Sequence, residues 1–193
     1  MRGRFSVSTP VPLLAVLTLL LLFDFSGFVR LSLLCALLHE MGHIAAFVLL
    51  TGRLPRVTCS FSGLRIEMDG EHLPLAKENL LLLCGPLANL LAAGISALLI
   101  LSHATFGRYF FACENLCLAL FNLLPVGFLD GGRLAANLLG VRGAQVLRGL
   151  SIAASLTFAG FGLWLFAAQK TGFLLLLLFC LLTLGLIVKN LQE

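Results

Sequence analysis

In FVRLSLLCALLHEMGHIAAFVLL (Phe28–Leu50) an apolar run of helix length encloses His39-Glu40-Met41-Gly42-His43. Two histidines four apart stand on one face of a helix, one turn above each other, so both imidazoles can reach one metal ion. The glutamate beside the first histidine is then placed to act as a base on water at that ion. Histidine and glutamate are costly in hydrocarbon and are found there when they face a water-filled cavity or bind something. In a soluble chain these letters point to a zinc protease. In a membrane helix they point to hydrolysis inside the bilayer.

The rest of the chain supports a membrane setting. Of 193 residues, 60% are hydrophobic and 11% charged, with a mean hydropathy of +1.05. A soluble domain carries about 45–50% apolar and about 25% charged residues, so an ordinary soluble fold is excluded. The net charge of +4 comes from arginines and lysines at the ends of apolar runs, a topological signal with no cluster dense enough for nucleic acid. The six cysteines (Cys35, Cys59, Cys84, Cys113, Cys117, Cys180) sit mostly in apolar runs without paired spacing and read as small core residues.

Apolar stretches and their breakers outline six membrane segments, at about Val11–Phe23, Phe28–Leu50, Asn79–Leu101, Tyr109–Leu124, Leu150–Ala168 and Phe173–Val188. The first and fourth are shorter than the ~20 residues of a full span, which tilt or a re-entrant course accommodates. No small-x-small cleavage site follows the first, so it is expected to stay as an uncleaved helix, with Asp24-Phe25-Ser26-Gly27 as the turn after it. With the N-terminus inside, Arg2, Arg4, Arg53, Arg56, Arg65, Lys77, Arg133, Arg142, Arg148 and Lys189 are cytoplasmic, against Arg30, Arg108 and Lys170 outside. That imbalance puts both termini in the cytoplasm. The expected architecture is an all-α polytopic membrane protein forming one domain over 1–193. Its core lies at about 28–133, and two C-terminal scaffold helices without polar chemistry occupy 150–190. His72 and His103 fall in loops, and Tyr109 and Trp164 are expected to anchor or pack helices.

One segment differs in kind. Val57, Cys59 and Phe61 alternate with Thr58, Ser60 and Ser62, and after Gly63 the alternation resumes through Leu64, Ile66 and Met68. Period-two alternation around a Ser-Gly break predicts a small β-hairpin after the second helix. An edge strand there is placed to pair with an extended substrate; a loop that happens to alternate is the alternative.

A catalytic zinc takes three protein ligands and keeps one position open. Acidic residues in or beside the spans are Asp24, Glu40, Glu114 and Asp130. Under the orientation above, Asp24 and Glu114 lie near the outer ends of their helices. His39 and His43 lie in the inner half of theirs, and Asp130 follows the fourth segment at its inner end. Depth alone therefore selects Asp130. Its surroundings agree: Pro125, Gly127, Gly131 and Gly132 break the helix, and broken helix at membrane depth is tolerated where it lines a cavity or is buried in protein.

The chain resembles the site-2 proteases, the M50-type intramembrane zinc metalloproteases. The likeness rests on His39-Glu40-Met41-Gly42-His43, on Gly85-Pro86-Leu87-Ala88-Asn89, and on Asn122 through Gly132. These motifs cover the second to fourth segments, which resemble that family's three-helix catalytic core. Within the family the chain is most similar to the branch that processes a sporulation sigma factor, with its six-helix plan and Asn-Leu-Leu-Pro motif. Leu123 departs from the more usual Asn-Pro-x-Pro, which implies a milder break. The resemblance implies one Zn2+ per chain on His39, His43 and Asp130, with Glu40 as general base. It also implies that Asn89 and Asn122 orient substrate or bonds around the metal; an interhelical amide hydrogen bond is the alternative for each. Gly85-Pro86 is expected to be a packing and kink feature. The implied partners are the bilayer, a transmembrane or membrane-associated protein substrate, and membrane regulatory proteins. The implied location is a bacterial cytoplasmic membrane. Neither a PDZ domain nor a nucleotide-sensing domain is expected within these residues.

Two other classes compete with this reading of the sequence. A metal-ion transporter wants further polar ligands along a path through the bilayer, and the few intramembrane charges here speak against one. An inactive membrane adaptor usually lacks the base or one ligand, and all four positions are intact.

Overall fold

The computed structural model describes residues 18–60, 63–67, 73–127 and 129–167. Residues 18–22 are helical and run into a turn at 23–27. Then follow α1 (Phe28–Thr51), β1 (Arg56–Ser60), β2 (Gly63–Glu67), α2 (Leu75–Ser102), α3 (Phe106–Asn122) and α4 (Asp130–Ala167). The chain divides into two compact units, Met1–Leu123 and Leu124–Glu193.

In the first unit, α1, α2 and α3 pack pairwise. Helix α1 starts sharply because Gly27 takes a left-handed conformation (φ 79°), and Asp24 reaches forward to accept from the backbone N–H of Arg30 at 3.0 Å. The Arg30 guanidinium bonds the same carboxylate at 3.2 Å. The helix ends at Gly52, also left-handed (φ 69°), whose N–H closes the last turn on the Val48 carbonyl. Thr105 caps α3 by accepting from the Arg108 N–H, while the Arg108 guanidinium donates to the Leu99 and His103 carbonyls that end α2. Phe28 stacks against Phe106 and Phe110, with centroids 5.7 and 4.7 Å away, and so fastens the start of α1 to the start of α3.

The bundle buries polar groups among its apolar core and leaves many large apolar side chains exposed. Its buried side chains include His39, His43, Asn89, Ser96 and Asn115, while Leu49 and Leu101 are 85% and 84% exposed. Among the described residues no buried side-chain nitrogen or oxygen lacks a hydrogen-bond partner. Such a surface suits hydrocarbon and such an interior suits helices that glue themselves together with polar groups. Among the described residues α1 and α2, of 24 and 28 residues, are long and apolar enough to cross a membrane. At ~1.5 Å per residue they reach about 36 and 42 Å, beyond the ~30 Å hydrocarbon layer.

The predicted hairpin appears as β1 and β2 paired antiparallel, Arg56 opposite Glu67 and Ser60 opposite Gly63. Met68, its expected last residue, lies outside the described residues.

The plan of six segments needs adjusting where it can be followed. The sixth, Phe173–Val188, and most of the first lie outside the described residues, as does His72. The fifth does not begin at Leu150: α4 spans Asp130–Ala167 as two helices that meet at a kink at Gly140 (φ 64°, ψ −158°), and the second is already under way before Leu150. Hydropathy dips at Arg142 and Arg148, but arginine is a good helix former, so the apolar run marks only part of the helix. Nor is this stretch without polar chemistry. Ser151, fully buried, accepts the Gly127 N–H at 2.7 Å and donates to the Leu147 carbonyl at 2.7 Å. A serine in an apolar run reads as filler until the loop that needs its oxygen is seen.

Candidate metal centre

The buried stripe of α1 is Cys35, His39, His43, Ala46 and Phe47, so the histidines face the bundle interior. Facing them is the stripe of α2, which includes Leu81, Gly85, Pro86 and Asn89. Glycines let the two helices meet closely. A Cβ on Gly42 would fall closer than 3.0 Å to the Cys84 carbonyl oxygen and Ala88 Cβ. One on Gly85 would fall that close to His43 Nε2 and Cε1 and to His39 Cε1. Gly85 is thus a packing residue, as expected, and the packing it permits is against the imidazoles themselves.

Each imidazole is held through Nδ1. His43 Nδ1 lies 2.9 Å from the Leu81 carbonyl oxygen, which can only accept. His39 Nδ1 lies 2.8 Å from Asn89 Oδ1. Both rings therefore carry their proton on Nδ1 and turn Nε2 lone pairs inward. Those two Nε2 atoms are 3.2 Å apart. With both rings neutral neither Nε2 can donate, and two lone pairs at that separation are accommodated by a proton or a metal cation between them. Two nitrogens bound to zinc at ~2.05 Å with a tetrahedral angle stand about 3.3 Å apart. The pair fits a metal ion in tautomer, spacing and outer support, the last being the usual partner of a ligating histidine.

The remaining predicted residues fall as follows. Glu40, next in chain to His39, is half-buried on α1. Asn89 is fully buried; besides meeting His39 it donates to the Cys35 carbonyl at 3.1 Å and to Asn115 Oδ1 at 2.8 Å. It thus holds the His39 ring and also forms the interhelical amide bond given as its alternative. Asn122 turns back on its own helix and donates to the Leu118 carbonyl at 3.0 Å. In the second unit, Asp130 opens α4 directly after the break at 123–129. That break is compact: Leu129 N–H donates to the Val126 carbonyl at 2.8 Å, and a Cβ on Gly132 would strike the same carbonyl.

Missing from the sequence analysis were the Leu81 carbonyl and Asn115. A backbone acceptor leaves no sequence signal. Asn115 left one, an amide in an apolar helix, but a search confined to acidic residues passes over it.

A bundle with two long apolar helices and a buried, closely spaced histidine pair has the features of a membrane metalloprotein. Comparisons with known proteins narrow the class. Residues 103–167 match the pattern of Peptidase family M50. Stage IV sporulation protein FB of Bacillus subtilis (strain 168) is 37% identical over 108 residues, which are 53% of this chain and 36% of that protein. The chain thus matches about a third of that relative's length. The solved site-2 protease of Methanocaldococcus jannaschii superposes with a TM-score of 0.64 at 19% identity, covering 93% of this chain and 87% of that one, a likeness of fold. The chain is thus similar to the M50 peptidases along residues 103–167 and to a site-2 protease in fold.

Proposed function

We propose that this chain is an intramembrane zinc metalloendopeptidase that cuts a transmembrane or membrane-associated protein. The observation that carries the proposal is the pair of Nε2 atoms 3.2 Å apart with both Nδ1 positions committed to oxygen acceptors. Asp130 is the proposed third ligand, supported by its place in the first turn after a compact break and by the family resemblance. A zinc ion supplies Lewis acidity toward water and the scissile carbonyl. Glu40 takes the proton from the attacking water and returns it to the leaving amine. Its position beside His39 keeps it within one residue of the ligand pair while leaving it half exposed.

A helical substrate has its carbonyls tied up in backbone bonds and must unwind before attack, and its freed amides then need partners in a dry setting. The β1–β2 pair is the proposed partner, through an outer strand edge. The substrate to try first is a sporulation sigma-factor precursor, which the sequence resemblance implies. The proposed location is a bacterial cytoplasmic membrane with both termini in the cytoplasm.

Co-expression with candidate substrates tests the reading. Wild type is expected to yield a shorter fragment, and Glu40→Gln only intact substrate, with zinc bound one per chain in both proteins. Equal cleavage by Glu40→Gln, or a purified wild type without zinc affinity, overturns it.

A further inference from the structure

Asn115 belongs to none of the sequence motifs, yet it is fully buried and joined to all three helices of the first unit. Its Nδ2 donates to the Phe111 carbonyl at 2.9 Å and to Cys35 Sγ at 3.0 Å. Its Oδ1 accepts from Asn89 Nδ2 at 2.8 Å. The direction of each amide follows from its neighbours. A carbonyl can only accept, so the Phe111 oxygen fixes the nitrogen end of Asn115 and aims its oxygen at Asn89. That oxygen needs a donor, so Asn89 must present Nδ2, and the Cys35 carbonyl at 3.1 Å requires the same. Asn89 is left with Oδ1 toward His39, where only a protonated Nδ1 satisfies it.

We infer that Asn115 is a positioning residue: acting through Asn89, it sets the tautomer of His39 and so keeps the Nε2 lone pair available to a metal. The inference rests on the metal reading of the histidine pair and deepens it. Sequence separations of 26 and 50 residues along the chain Asn115–Asn89–His39 mean that the packing of all three helices is read out at one nitrogen. Without Asn115, one N–H of Asn89 is orphaned in a buried place, and the Cys35 carbonyl alone decides which way that amide points.

The test uses full-length protein in nanodiscs, labelled with 15N-histidine. The chain has four histidines, so the ring signals can be assigned. Metal-free wild type is expected to show His39 protonated on Nδ1. Asn115→Leu should mix in the other tautomer and weaken zinc binding at least about fivefold, less than the about 10- to 100-fold expected for losing a direct partner of a ligand. Asn115→Asp keeps an acceptor for Asn89 and should retain the Nδ1 tautomer. Ser96→Ala serves as a structural control: it deletes another buried α2–α3 bond, Ser96 Oγ to the Arg108 carbonyl at 3.1 Å, and should move neither readout. The inference is overturned if Asn115→Leu keeps the wild-type tautomer, if Asn115→Asp loses it, or if Ser96→Ala shifts it as far. Absence of zinc binding by wild type would instead remove the metal reading, since the tautomer is read without metal.

Discussion

Adding one methyl group at position 85 should empty the metal centre while leaving the helices in place. In Gly85→Ala the new Cβ would stand closer than 3.0 Å to His43 Nε2 and Cε1 and to His39 Cε1. Relief requires the rings to turn away or α1 and α2 to separate. Turning His43 gives up its bond to the Leu81 carbonyl, now 2.9 Å, a loss of about 1–1.5 kcal/mol for a buried hydrogen bond. Overpacking a close helix contact adds about 1–3 kcal/mol. Charged together against the metal-ready arrangement, these come to about 2–4.5 kcal/mol, or a loss of roughly 30-fold to 2,000-fold in zinc affinity. Competition with a chromophoric chelator on nanodisc protein measures it, with far-UV circular dichroism to follow helix content. Gly94→Ala on the same helix is the control, because nothing lies within 4 Å of its added Cβ, and its affinity should equal wild type. Should Gly85→Ala bind zinc within about threefold of wild type at full helicity, the close approach of α2 to the imidazoles is wrong.

Three further outcomes follow from the same geometry. Ser151→Ala leaves the Gly127 N–H without its acceptor, so amide hydrogen exchange at 124–132 should speed up by about 1–3 kcal/mol of lost protection, with α1–α3 unaffected. Burial is the largest single effect on Asp24 and pushes its carboxyl up, but the Arg30 N–H, the Val29 N–H, the Arg30 side chain and Ser26 together outweigh it and hold the carboxyl below the usual 3.8. A depressed carboxyl adds stability above its unfolded value and loses it as pH falls through the folded one. Asp24→Asn should therefore melt lower than wild type at pH 7, and the gap should close below pH 3.8. Gly140→Ala forces a side chain into a backbone region open only to glycine (φ 64°, ψ −158°); a loss of about 1–3 kcal/mol in thermal stability is expected, with zinc affinity unchanged.

Much of α1 was legible in advance because its signals are local. An apolar run of spanning length and a four-residue histidine spacing are properties of consecutive residues, and the helix runs Phe28–Thr51 against an expected Phe28–Leu50. The alternation about Gly63 likewise foretold a strand pair, because side chains on a strand point alternately to its two faces. Where the signal was a hydropathy dip, as before Leu150, it marked the edge of an apolar surface and misplaced the start of a helix.

Composition and spacing, then, were enough to read the chain as a membrane protein whose α1 carries a candidate metal-binding pair, since burial in lipid and the pitch of a helix act on neighbours in the chain. They could not say which ring nitrogen faces inward. That depends on the Leu81 carbonyl, Asn89 and Asn115, which lie 38, 50 and 80 residues from the α1 positions they touch. Such partners meet only once three helices have packed, because a hydrogen bond needs its atoms within about 3 Å whatever their distance along the chain.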